Sequence, residues 1–574
     1  MFTQLNPGLE MFDLNFMDFD VARTDLVCTA LLSAHTNSSL RLRIIELSNN
    51  EFGDEGAAIV ATKLLLCNAL SSLTTLRMCG CHIGNLGAAA LSNALRSNSS
   101  LRALILKRNL IDATGVASLA AMLRQNANIR TLNLNGNRIG AAGIVELCAV
   151  VGAGFTSLTH LYLLGCYDST VEAAVEKAEA DEADDLQVGT QAIAEMLRAS
   201  ASRLLVLELS CNPIGSSGAL ILSKAFRSGA GSSCSDSFGG HTGDSCGSSG
   251  DSIERGGSMV FGCGIHSNDS VGDKVGGDSC DGNTTLRVLR LKQCQLGDRG
   301  VVALCDALKS NSDTVRLREL DLVRNGITDI GMLAIASLLG CGNSSLRSLD
   351  LCLNSMTATG AAQFGVALAC NRHLRKLDLS NCQLDEKSIA LICEGLLGPQ
   401  CALRCLHLRD HYMTTEVVAA VSDMLAVNRS LRLLNLSDCG IDNFGAELIA
   451  DALLRNFTLC QLQLPHNHFT NAGVAALVAA LRVNETLCEL DVCGNPLDDD
   501  DPYSDYGDDD HDEDDEKVDQ DYDVNKNDDD EYENDVLDQL NALLVNRKPV
   551  DSCEDSDSED DNDVENYGHT YVTE

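Results

Sequence analysis

Five side chains able to ligate a metal, Cys405, His407, His411, His466 and His468, lie within two or three repeat lengths of one another, and Cys263-x-x-His266 has Cys246 and Cys280 nearby. Neither group has the two short ligand pairs of a zinc site, so no metal is expected. Nucleophilic or acid–base catalysis needs a base, an oriented nucleophile and an oxyanion donor converging in one pocket; no such set is legible. A phosphate-cradling G-x-x-x-x-G-K-[ST] loop is absent, and no cofactor is expected. What recurs is charge. Glu319, Asp321, Asp350 and Asp378 form an acidic series, Arg290 and Lys292 a small basic spot, and Arg77, Lys107 and Arg108 another. A single arginine can act in trans by stabilising a transferred phosphoryl group on a docked GTPase. Arg77 and Arg108 are the candidates for that role.

These charges ride on a repeated phrase, L-x-x-L-x-L-x-x-(N/C)-x-(L/I). Its Asn/Cys slot is filled by Asn50, Cys81, Asn109, Asn137, Cys166, Asn212, Cys294, Asn325, Asn354, Cys382, His411, Cys439, Asn467 and Asn495. Outside two interruptions the step is 28 to 31 residues, the period of a leucine-rich repeat. In each copy the L-x-L core predicts a short strand with leucines inward and alternate residues outward. A helix follows, opened by Gly-Ala pairs such as Gly87-Ala88 and Gly360-Ala361, with an apolar i, i+3, i+4 stripe. The predicted fold is an α/β leucine-rich-repeat solenoid, a horseshoe of about 14 repeats with a parallel inner sheet and outer helices. Its concave face then presents Arg290, Lys292, Glu319, Asp321, Asp350, Asp378 and His407 to a protein partner. The bland alternative is a solvated face whose Asp residues suit the repeat consensus.

The expected organisation is an N-terminal extension (1–24) and a solenoid (25–497) opened by a capping helix at 25–34. Insertions interrupt the solenoid at 167–185 and 229–282. An acidic disordered loop (498–534), a C-terminal capping helix (535–547) and an acidic disordered tail (548–574) follow. Residues 536–545 also have the leucine spacing of a nuclear export signal. The net charge of −41 is concentrated at the end, where residues 498–574 hold 33 Asp/Glu against 4 Lys/Arg. Such a surplus opposes direct nucleic-acid binding, which needs cations to displace phosphate counterions. The column Arg287, Arg318, Arg347, Arg375, Arg404 and Arg432 reads instead as a flanking repeat position whose stems cover apolar surface. Ser552, Ser556 and Ser558 are each followed three residues later by an acid, as acid-directed kinases require.

No stretch approaches the ~18 apolar residues of a membrane span, and the start lacks a secretory leader. The 25 cysteines read as reduced thiols, several in the repeat slot. The expected location is cytoplasmic, with nuclear or perinuclear as the alternative. The sequons at Asn37, Asn98, Asn343, Asn428 and Asn484 coincide with the repeat turn. A monomer binding a small GTPase or a basic protein is expected.

The 28/29 step, the mixture of Asn and Cys in the slot and the Gly-Ala-x-x-Leu-Ala-x-x-Leu helix resemble the ribonuclease-inhibitor subfamily over about residues 25–497. A repeat horseshoe with a strongly acidic end is most similar to the Ran GTPase-activating protein family. Residues 490–497 running into acidic 498–501 resemble the way that family ends its array, and residues 47–53 one of its early strand–turn segments. The resemblance implies a non-catalytic intracellular protein-binding scaffold. A GTPase activator is the first alternative, and a NOD-like-receptor-style sensor or cytoskeletal adaptor the second. No segment matches the flank of that family's activator arginine, so no catalytic residue carries over.

Overall fold

In every repeat a strand of three residues is centred on the first leucine of the L-x-L phrase (Ile45 in the first repeat), and that residue is sealed between sheet and helices. The computed structural model describes residues 9–38, 41–66, 70–167, 180–227, 283, 285–311, 314–340, 345–497, 535–545 and 547. The strands are β1 (Met11–Asp13), β2 (Ile44–Glu46), β3 (Thr75–Arg77), β4 (Ala103–Ile105), β5 (Thr131–Asn133), β6 (His160–Tyr162), β7 (Val206–Glu208) and β8 (Val288–Arg290). They continue as β9 (Glu319–Asp321), β10 (Ser348–Asp350), β11 (Lys376–Asp378), β12 (Cys405–His407), β13 (Leu433–Asn435), β14 (Gln461–Gln463) and β15 (Glu489–Asp491). All fifteen lie in chain order in one sheet. Pairing is parallel and in register, leucine against leucine, as in Leu349↔Leu377. Helices fill the outer layer, each packed on the helix of the next repeat.

Fourteen strands come from the fourteen repeats. The other, β1, lies in the segment read as an extension and pairs with β2 through Phe12↔Ile45. The capping helix runs Val21–Ser38, longer than the expected 25–34, because the Asp20 carboxylate accepts from Arg23 N at 2.8 Å and starts it earlier.

Three polar ladders tie repeat to repeat. In the slot, Asn354 Oδ1 accepts from Asn325 N and Ile327 N at 3.0 and 3.1 Å, while its Nδ2 donates to Leu322 O and Leu351 O. A cysteine in the slot keeps only the donor side: Cys382 Sγ donates to Leu351 O. At the helix exits a second Asn row runs across the edge, where Asn484 Nδ2 donates to Leu453 O and Asn456 O. Three of the sequons (Asn98, Asn428 and Asn484) are 3%, 3% and 0% exposed in this row, so their amides are structural.

The third ladder was not legible in the sequence. An Asp or Asn opening one helix caps the helix of the next repeat: Asp298 Oδ1 accepts from Thr328 N and Gly331 N, and Asn443 Oδ1 from Thr470 N and Gly473 N. A Cβ on Gly331 would lie 2.5 Å from Ile327 Cγ2 and 2.8 Å from Asp298 Oδ1, which together explain the opening glycine. Asp298→Ala is expected to cost about 1–2 kcal/mol, the usual worth of a helix cap. Urea unfolding, together with faster amide exchange in the helix Asp329–Gly340, would register it.

At the far end the helix Asp535–Leu544 packs on Asn471–Leu481 with Leu540 buried. Arg482 donates to Gln539, and Arg547 to Leu481 O and Leu487 O. The leucine spacing of 536–545 is thus used in capping. Most of the insertion 167–185, all of 229–282 with Cys246, Cys263, His266 and Cys280, the acidic segment 498–534, the tail 548–574 with Ser552, Ser556 and Ser558, and the sequon Asn343 lie outside the described residues. Among the described residues no helix is long and apolar enough to cross a membrane.

Candidate functional site

The third residue of each strand points to the open face of the sheet, and the register sets these residues side by side. Arg290, Asp321, Asp350, Asp378 and His407 are consecutive partners across β8–β12. Five of the seven expected concave-face residues therefore form a single row. Glu319 stands at the first position of β9, where its Oε1 accepts from Arg290 Nε at 2.8 Å. Lys292 lies two residues beyond Arg290, half-buried. The basic spot and the start of the acidic series are therefore joined by an ion pair.

The third position has a structural task. Asp321, Asp350 and Asp378 each accept, through Oδ1, the N–H two residues on, at 3.0, 3.1 and 2.8 Å. Asn133 and Asn435 make the same bond at 3.0 and 2.9 Å. A neutral amide thus satisfies the turn, and the negative charge at three adjacent strands is not needed for it. Strands are about 4.8 Å apart, at which spacing like charges repel.

The electrostatics register burial along the row and crowding at Asp350. Burial raises the Asp321 carboxyl above its ordinary range. Asp350, between two acids, is raised by burial first and then by Asp378 and Asp321, to about 8. Glu208, two strands from Asp321 and 7% exposed, is raised by burial. Burial pulls His407 down against the attraction of Asp378.

A raised carboxyl favours the fold in its protonated form. Its contribution is complete below the ordinary carboxylate range and is lost as pH rises through the folded value. Asp350→Asn keeps the Oδ1 acceptor and removes the charge. It is expected to leave stability unchanged at about pH 4 and to raise it by about 1 kcal/mol above about pH 8, at up to 1 kcal/mol per opposed like-charge pair. Urea unfolding at the two pH values measures both.

The residues able to ligate a metal separate. His411 occupies the repeat slot, its Nε2 2.9 Å from Leu379 O, and is consumed by the fold. Cys405 Sγ lies 3.4 Å from His407 Nε2 on β12, whereas His466 and His468 sit on the turn after β14. Among the described residues no three His, Cys, Asp or Glu side chains are grouped to hold a metal. Arg77, at the third position of β3, has its Nη1 3.4 Å from the buried Glu46 carboxylate. Lys107 and Arg108 follow β4. Arg108 is exposed in a left-handed turn with φ 54°. The sequence reading missed Arg409, which bridges Asp410 and Asp438 at 3.2 and 3.3 Å beside the row. Charge at the residues just after L-x-L was the available signal.

The family described as Leucine Rich repeat matches at residues 40–58, 69–92, 125–148, 202–223, 282–305, 317–336, 370–393 and 427–450. Ribonuclease inhibitor of Sus scrofa is 30% identical over 167 residues, 28% of this chain and 36% of the inhibitor. NACHT, LRR and PYD domains-containing protein 12 of Homo sapiens is 29% identical over 145 residues, 25% of this chain and 13% of that protein. The chain thus spans about a third of the inhibitor's length and a smaller share of the second relative's. Among solved structures, a TLR13–ssRNA13 complex is similar over 79% of this chain and 50% of that one, at 14% identity and a TM-score of 0.41.

Proposed function

This chain is a leucine-rich-repeat solenoid of the ribonuclease-inhibitor type, and we propose that it is a non-catalytic protein-binding scaffold taking a basic partner on the row Asp321–Asp350–Asp378. The observation that carries this reading is the charge itself. The row keeps three adjacent carboxylates where Asn135 N and Ser437 N are satisfied by neutral amides. A cationic side chain laid across β9–β11 removes the like-charge repulsion and draws the raised carboxyls back to their ionised form. Buried thiols used as slot donors, such as Cys81 Sγ to Leu47 O, suit a reducing compartment, the cytosol or nucleus.

A GTPase activator would need an arginine that can reach a partner's nucleotide. Arg77 is engaged with Glu46, which leaves Arg108 for that reading. Single-turnover GTP hydrolysis by Ran and related GTPases separates the two readings, and no acceleration is expected from a scaffold. An acceleration of hundreds-fold, lost in Arg108→Ala, would overturn the non-catalytic reading. A ribonuclease, the ligand class in the porcine relative's name, is a defined basic protein for the parallel binding arm.

A further inference from the structure

The edge of the solenoid where helices hand over to strands carries a cluster of exposed apolar residues in its last four loops. In its loops (397–404, 427–432, 454–460 and 482–488) Leu397, Val427, Leu454, Phe457 and Val483 are between 40% and 62% exposed. The last three loops are stacked directly, Asn456 Nδ2 donating to Asn428 O and Asn484 Nδ2 to Asn456 O, so the apolar side chains share one strip. The four loops also carry Arg404, Arg429, Arg432, Arg455 and Arg482 against one acid, Glu485, in a chain of net charge −41. Arg429 and Arg432 donate to backbone carbonyls and Arg482 to the Gln539 amide oxygen, acceptors that leave the guanidinium charge unneutralised. An exposed apolar strip rimmed by one sign of charge marks a docking surface.

The occupant that fits is within the chain. Arg547 is held at this edge by Leu481 O and Leu487 O. Residues 548–574 continue from it with ten Asp/Glu, one Lys, and Val564, Tyr567, Tyr571 and Val572. We infer that residues 548–574 dock along this edge, their tyrosines on Val427, Phe457 and Val483 and their carboxylates toward Arg429 and Arg455. The reach is sufficient. The twenty residues from Arg547 to Tyr567 extend to about 65 Å, and four helices at about 10 Å spacing cover about 30 Å. This edge is separate from the concave row, so the inference stands apart from the scaffold reading.

The test places the photo-cross-linker p-benzoylphenylalanine at position 567 of the full chain and maps its products by mass spectrometry. Expected are cross-links within one chain to residues 427–485, their yield independent of protein concentration. The yield should fall several-fold at high salt, in Arg429→Glu/Arg455→Glu and in Phe457→Ser. All three side chains are exposed, so these variants leave the core intact, which circular dichroism verifies. Cross-links scattered over the chain, no cross-links, or products between chains that grow with concentration would each overturn the inference. The last would assign the strip to a second copy.

Discussion

Asn354→Ala is expected to lower the free energy of unfolding by about 3–5 kcal/mol, more than any substitution on the concave face. The side chain is 5% exposed. Its loss leaves Asn325 N and Ile327 N without their acceptor and takes a donor from Leu322 O and Leu351 O. Each buried polar group left unpaired costs about 1–3 kcal/mol. The position is central in an array whose repeats touch only their neighbours, so the break falls between two blocks of repeats. Urea unfolding should show a lower midpoint and a broader transition, as the two blocks cease to melt together. Cys382→Ala supplies the contrast, because a thiol is a weak donor to one carbonyl, and about 1 kcal/mol or less is expected there. Equal losses at the two positions would show that the slot is held by packing rather than by hydrogen bonds.

The second large effect concerns binding and has the opposite sign for stability. Asp350→Asn combined with Asp378→Asn keeps both Oδ1 acceptors for Cys352 N and Ser380 N. The fold therefore loses nothing, and above neutral pH it gains from the relieved repulsion. A basic partner loses two charge-assisted contacts in a half-buried setting. Truncating one side of such a pair typically costs about 2 kcal/mol or more, roughly 30-fold in Kd. The salt dependence of binding should become shallower as well. A protein that becomes more stable while binding less well is the signature of charges kept for a ligand. If affinity were unchanged, the three Asp residues would be turn caps and nothing more.

How much could be read beforehand depended on whether a feature repeats along the chain or arises only across it. The L-x-L phrase writes its own strand register, so Asp321, Asp350 and Asp378 could be placed in one row from their positions relative to the leucines. The capping helix Asp535–Leu544 was likewise legible, because its leucine spacing survives beyond residues 498–534. Strand β1 was not: Leu9-x-x-Phe12-x-Leu14 is a degenerate copy of the phrase, with Phe in place of one leucine and no Asn or Cys in the slot. Nor were the lateral side-chain bonds. Arg290 finding Glu319, Arg77 finding Glu46, and Asp298 capping the following helix each join residues about one repeat apart. Their identities look like ordinary surface choices until the repeats are stacked. His411 is an intermediate case. Its place in the slot was legible from the repeat, but the bond that its ring makes to Leu379 O was not.

The claim that the acidic row is a binding surface for a basic protein is tested most directly by quantitative affinity capture with two full-length baits, the unaltered chain and Asp350→Asn/Asp378→Asn, followed by titration of what is retained. A basic partner should be held by the first bait and weakened roughly 30-fold or more on the second. The same partners retained with the same affinity on both baits would contradict it.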